Sequence, residues 1–274
     1  MIEKIIIDKV GSCYQKESVV LRKGSKKEIE FPALIAIIRH KKYGNILYDT
    51  GYSDMFFDET KKYPAKIYRK LTKVIIDTTI ENVLGKHNLK MEDINYVFVS
   101  HFHPDHIGNL HKFVNARIFC SKEEYTMLIN EKSNLKKLKY GFFKKMIPDN
   151  ISENMISFEE LLSIDIENHS KKGRKLFEDN DLIAIPLYAH RKGQHGLLVN
   201  YNNKKYFFVS DSIWVIDNIH ETKPSFGLKL VFENFKLYND EIKFLREIGK
   251  NTEIIPSHCI SSFYKYKREL NDKL

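Results

Sequence analysis

The chain has 274 residues, 42% hydrophobic and 30% charged, a balance typical of a globular protein and unlike that of disordered or fibrous chains. No apolar run approaches the roughly 20 residues that span a bilayer, and the 3 cysteines (Cys13, Cys120 and Cys259) are too few and too scattered for a disulfide framework. The expected setting is a reducing cytoplasm. The net charge of +9 comes from lysines spread along the whole length rather than gathered in a stripe, so nucleic acid is not the expected partner.

In chain order, the first residues run straight into a strand and lack the long apolar region of a secretory signal. Residues 34–38 and 46–48 read as neighbouring strands joined through the Lys41-Lys42-Tyr43-Gly44 turn. Residues 64–76 and 121–165 read as helical insertions. Thr78-x-x-Glu81 has the form of a capping box, with Ile80, Val83 and Leu84 on one face of the helix that follows. Residues 96–100, apolar and β-branched, predict a buried strand, and 116–120, 197–201 and 206–209 predict more.

Within 132–146, Lys136, Lys137, Lys139, Lys144 and Lys145 interleave with Leu135, Leu138, Tyr140, Phe142 and Phe143. A surface helix with a lysine face is the simpler reading. The alternatives are a wall over a site, apolar inside and cationic at its rim, and a membrane-surface contact. Residues 170–175 read as an exposed loop. Asp240 is placed to cap a helix that turns Ile242, Leu245 and Ile248 inward and ends at Gly249. Near-continuous apolar strands predict sheets covered on both faces.

The densest chemistry is His101-Phe102-His103-Pro104-Asp105-His106, which puts three of the chain's 11 histidines and a carboxylate just beyond a predicted buried strand. Imidazole and carboxylate are the ligand set of zinc and its divalent neighbours, and a packing role does not explain four of them in one turn. Three other apolar strands run into a ligand-type residue: 182–189 into His190, 206–210 into Asp211 and 253–257 into His258. Each alone reads as a cap or turn residue. Together with the cluster they supply the number of ligands that two metals require.

His101-x-His103-x-Asp105-His106 followed by His190, Asp211 and His258 resembles the metallo-β-lactamase superfamily of hydrolases, over nearly the whole chain. Asn45-Ile46-Leu47-Tyr48-Asp49-Thr50-Gly51 resembles its Asp-Thr-Gly turn, and His190-x-x-Gly193 its His-x-x-Gly turn. The Asp-Thr-Gly-Tyr turn and Ser257-His258 look most like the lactonase branch, whose quorum-signal members open acyl-homoserine lactones.

The resemblance implies an α/β (α+β) fold, an αββα sandwich, with 1–274 as one domain. It implies two divalent ions, with zinc expected and manganese, iron or cobalt as alternatives. His101, His103 and His190 would hold one ion; Asp105, His106 and His258 the other; Asp211 would bridge them. A hydroxide shared by the two ions would attack a small ester or lactone, with Asp105 and Asp211 as the catalytic carboxylates. Phosphodiester or nuclease chemistry, thioester hydrolysis and a metal-binding sensor without turnover are the alternatives. Asp49 would orient a ligand or cap its own turn.

This sequence departs from the lactonase pattern. Trp214 stands where those lactonases carry a tyrosine. Gln194, with His195 next to it, stands where they carry a second imidazole. Cys259 stands where an aspartate often follows the last histidine. His195 is expected to be exposed, substrate-facing or a support behind a ligand. Trp214, Phe56, Phe57, Phe142 and Phe143 are candidate pocket walls, though core packing is the simpler role for the phenylalanines. A small-molecule substrate is the expected partner; the sequence says nothing of oligomeric state.

Overall fold

A computed structural model describes residues 1–166, 169, 171–221 and 223–271. Among the described residues, thirteen strands form two sheets. The first contains β1 (Ile2–Lys16), β2 (Glu28–His40), β3 (Gly44–Tyr48), β4 (Lys73–Ile75), β5 (Ile94–Phe98), β6 (Arg117–Cys120) and β7 (Met155–Ser157), in the order β4-β1-β2-β3-β5-β6-β7. The second contains β8 (Ser163–Asp165), β9 (Lys172–Lys175), β10 (Leu182–Pro186), β11 (His195–Tyr201), β12 (Lys204–Ser210) and β13 (Glu253–Pro256), in the order β13-β12-β11-β10-β9-β8. β1, β2 and β3 pair antiparallel; β3, β5, β6 and β7 run parallel.

The strand sequences are apolar on both faces because both faces are covered. On β2, Leu34, Ala36 and Ile38 join Leu182, Ala184, Tyr206 and Phe208 of the second sheet in one core between the sheets. The intervening Ala33, Ile35 and Ile37 join a second core shared with helix residues such as Val83, Leu84, Ile242 and Leu245. Side chains alternate sides along a strand, so one run of branched residues fills two layers. Tyr48 meets Phe208 across the sheets at 5.1 Å between ring centroids. This is the expected αββα arrangement.

Several local expectations shift. The helix of 64–76 covers Ala65–Leu71 only, and Lys73–Ile75 pairs with β1 as an edge strand. The cap before Ile80 is Thr79, whose hydroxyl accepts from the Asn82 N–H; Thr78 is not the cap. The helix assigned to an Asp240 cap begins earlier and spans Phe235–Ile248, because Phe235 and Tyr238 extend its apolar face by a turn. Its end at Gly249 is as expected. Segment 132–146 is not one amphipathic helix. It gives a short helix, Asn134–Lys139, then a turn that buries Phe142 and Phe143. Of the loop expected at 170–175, Ser170 lies outside the described residues and Lys172–Lys175 is β9. No helix among the described residues is long and apolar enough to cross a membrane.

The Asp49–Ser53 turn after β3 is fixed from several directions. The Thr50 hydroxyl donates to the His106 carbonyl at 2.9 Å, Ser53 donates to the Gly108 carbonyl at 2.6 Å, and Asn109 donates to the carbonyls of Thr50 and Tyr52. Gly51 has φ +69°, and a Cβ there would lie 2.4 Å from Val10 Cβ. We predict that Gly51→Ala lowers unfolding free energy by about 2–4 kcal/mol, from backbone strain plus the clash. Denaturant unfolding checks this; a midpoint within error of the parent would show that the turn yields.

Candidate metal centre

The expected ligands follow strand ends at one edge of the sandwich. β5 leads into His101, β10 into the loop carrying His190, β12 into Asp211 and β13 into His258. His103 precedes a helical turn, Pro104–Ile107, whose proline occupies the first position, where a missing N–H costs nothing. That turn carries Asp105 and His106. Asp49 and Ser210 sit beside the centre with φ of 52° and 50°, left-handed conformations rare outside glycine.

One potential ligand atom from each of His101, His103, His190 and Asp211 lies within 4.8 Å of the others, and a second such group joins Asp105, His106 and His258. Asp211 links the two. Its Oδ1 is 3.1 Å from both His106 Nε2 and His258 Nε2, and its Oδ2 is 3.4 Å from His190 Nε2. Asp105 Oδ2 is 3.3 Å from His258 Nε2.

Three of the five imidazoles, those of His101, His106 and His258, share one division of labour, while His190 Nε2 lies 3.2 Å from His103 Nδ1. His106 Nδ1 is 2.7 Å from Asp49 Oδ2. His258 Nδ1 is 2.8 Å from the Pro32 carbonyl, which only accepts, so Nδ1 carries the proton. His101 Nδ1 meets the hydroxyls of Ser100 and Ser210 at 3.2 and 3.3 Å. The opposite nitrogens, Nε2 of His101, His106 and His258, and Asp211 Oδ1 are buried with no well-aligned hydrogen bond among the described residues, although Oδ1 lies 3.1 Å from the last two nitrogens. Buried polar atoms normally have partners, and orphans gathered at one point require an explanation. Divalent ions fit that point: each ring has one nitrogen held by a protein oxygen and the other aimed at a ligand position.

The electrostatics agree. Burial drives His190 down to about 3 and His101 and His103 well below the usual range, which keeps them in the neutral, metal-binding form. Burial also opposes charge on His106 and His258, but Asp49, Asp105 and Asp211 outweigh it at the first, and Asp211 and Asp105 at the second. Burial alone would raise Asp211, yet His258, His106 and His190 hold it well below the ordinary carboxylate range. The carboxylates demand positive charge, which protons or divalent ions can supply.

Asp49 is fully buried and also accepts from the Ser100 N–H and hydroxyl, so it orients His106 rather than merely capping its turn. His195 is not exposed and lies outside both ligand groups. It is buried, its Nδ1 bonds the Gly193 carbonyl at 2.8 Å, and it packs on Phe158 at 4.3 Å. Gln194 is buried and donates to Ser212. Cys259 is buried filler near the Ile216 N–H.

A cavity of about 540 Å³ opens over the centre, lined by His103, Asp105, His190 and Asp211 and walled in part by Trp214. Phe56, Phe57, Phe142 and Phe143 are not among its walls. Lys139 and Tyr140 of segment 132–146 do wall it, as the alternative reading of that segment had it; the walls that sequence reasoning missed include Tyr52, Tyr68, Arg191 and Phe232. Tyr52 follows the Asp-Thr-Gly turn directly and Arg191 follows a ligand, so adjacency was the available signal for both.

Residues 60–244 match a family model described as Anti-Pycsar protein Apyc1. The chain belongs to that family. Among solved structures, a Bacillus thuringiensis AiiA variant with N-decanoyl-L-homoserine at its active site is similar at TM-score 0.72 and 18% identity, covering 97% of this chain and 96% of that one. AidC, a dizinc quorum-quenching lactonase, is similar at TM-score 0.63 and 18% identity, over 93% and 87% of the two chains. AbOPH, a hydrolase of the β-lactamase superfamily, is similar at 0.64 and 12%, over 94% and 87%. At these identities the likeness is one of fold, and the fold of this family member is that of the metallo-β-lactamase superfamily.

Substituting His190 with Ala should remove at least one metal equivalent from the purified protein, because one of the candidate ligand groups loses an imidazole. His195→Ala should leave metal content unchanged and lower only stability. Elemental analysis of both variants checks this, and equal losses would show that the two histidines share the centre.

Proposed function

We propose that the chain is a dinuclear-metal hydrolase that opens a small ester or lactone. The observation that carries this reading is a set of seven buried or cavity-facing ligands, joined through Asp211, at the floor of an accessible pocket. His101, His103 and His190 would hold one ion, Asp105, His106 and His258 the other, with Asp211 placed between the two groups. Zinc is the expected metal; manganese, iron and cobalt suit the same donors. The naming of the similar AiiA and AidC structures for homoserine products and lactonase activity supports the substrate class.

When bound, two divalent ions lower the pKa of a water toward neutrality and polarise the scissile bond. The remaining work falls to the protein. Asp105 faces the cavity and is the carboxylate placed to accept a proton from the attacking water. Burial, reinforced by Asp105, holds the Tyr52 and Tyr68 hydroxyls well above their usual pKa, so both remain donors at the cavity wall. The Trp214 indole N–H is buried without a partner among the described residues while its ring lies 5.0 Å from His258. It can donate to a substrate oxygen in place of the tyrosine absent from that position.

A second reading, a small phosphodiester, is favoured by one observation: Lys139, Arg191 and Lys229 line the same cavity. A cyclic phosphodiester is the phosphorus counterpart of a lactone, and two metals serve either centre. The family description names a role against Pycsar and no bond.

The metal-loaded protein should release acid from an N-acyl homoserine lactone. Tyr68→Phe should lower kcat/KM about 10-fold, the scale of one net neutral hydrogen bond, with metal content unchanged. Activity on a cyclic phosphodiester and none on the lactone would replace the first reading with the second. Inactivity on both would refute the hydrolase assignment for these substrate classes.

A further inference from the structure

The cavity mouth is framed by elements that carry most of the large apolar side chains left in water. Tyr63, Ile67 and Leu71 lie just before or on the helix Ala65–Leu71, exposed by 65%, 49% and 68%; Ile75 follows on β4. Leu135, 67% exposed, lies on Asn134–Lys139; Phe226 and Val231, at 76% and 41%, lie on Phe226–Val231. Only four other large apolar residues among those described are comparably exposed: Met1, Val114, Leu162 and Tyr264. The same three helices send Tyr68, Lys139 and Lys229 to the cavity wall, so their exposed residues surround one opening.

The charge on these helices has one sign. None of the three contains an acidic residue. Lys66, Lys70, Lys139 and Lys229 are exposed, and none has a carboxylate within ion-pair distance among the described residues. Other lysines do pair, as Lys73 with Glu28 and Lys145 with Glu59. The local feature of this mouth is its exposed apolar side chains, and the lysines among them share the chain's basic character.

We propose that this rim docks on an anionic lipid surface, with Ile67, Leu71, Leu135 and Phe226 entering the boundary of the acyl region and the lysines meeting the headgroups. The cavity would then open toward the lipid surface. Charge selects this occupant over a second copy of the chain, which would bring like charges face to face. Nucleic acid would use the lysines but leaves the aliphatic side chains of Ile67, Leu71, Leu135 and Val231 unsatisfied. The proposal does not depend on which bond the centre cleaves.

The test is co-sedimentation of the full, metal-loaded chain with phosphatidylcholine vesicles, with and without about one third phosphatidylserine. Binding should require the anionic lipid, weaken at high salt and fall more than tenfold in Leu71→Ser/Leu135→Ser/Phe226→Ser. These positions are exposed, so the variant should keep its parent's circular dichroism and metal content. Lys66→Gln/Lys70→Gln/Lys139→Gln/Lys229→Gln, made independently, should lose the lipid selectivity. No vesicle binding, or equal binding to neutral vesicles, overturns the proposal. So does self-association in sedimentation velocity that the serine variant abolishes, or binding to DNA that the serine variant leaves intact while vesicles are ignored.

Discussion

Asp211 lies between three imidazoles from three segments of the chain, and the rest of the centre is arranged around its two oxygens. Oδ1 faces His106 and His258, while Oδ2 faces His190. A carboxylate this deeply buried is costly unless positive charge neutralises it. The fold answers by spending one nitrogen of His101, His106 and His258 on a protein oxygen and turning the other inward. The direction of these three rings is thus set by protein contacts alone. This is the preorganisation a metal centre requires.

The two sheets make that arrangement possible. β5 of the first sheet and β10, β12 and β13 of the second end at the same edge, so the loops beyond them converge. Hydrogen bonds cross between the sheets next to the site: the His195 N–H donates to the Ser100 carbonyl and the Leu34 N–H to the Ser257 carbonyl. The left-handed backbone at Asp49 and Ser210 re-aims the chain within a residue of each strand end. Strain of this kind persists only where the surroundings enforce it, and here the enforcing contacts include Ser100, bonded to both Asp49 and Ser210.

The sequence made the ligands and sheets legible for the same reason. Strand patterning is local, and His101-x-His103-x-Asp105-His106 needs no tertiary information to be noticed. Arg191 was hidden because its setting is assembled from distant segments: Glu124 at 3.5 Å, Glu233 at 3.6 Å and the Tyr140 ring at 4.7 Å. His195 was misread as exposed because a lone histidine after a turn carries no sign of burial; Phe158 supplies that, 37 positions away in the chain. Segment 132–146 misled by its spacing. Its lysines and aromatics have helical periodicity, but Gly141, at φ +61° beside His103, breaks the helix where the chain must approach the site.

The central claim is that two ions share Asp211, and manganese loading tests it most directly. The account predicts two manganese ions per chain and an exchange-coupled electron paramagnetic resonance spectrum, since a shared carboxylate would hold them about 3.5–4 Å apart. A single ion per chain with the spectrum of an isolated manganese would contradict it.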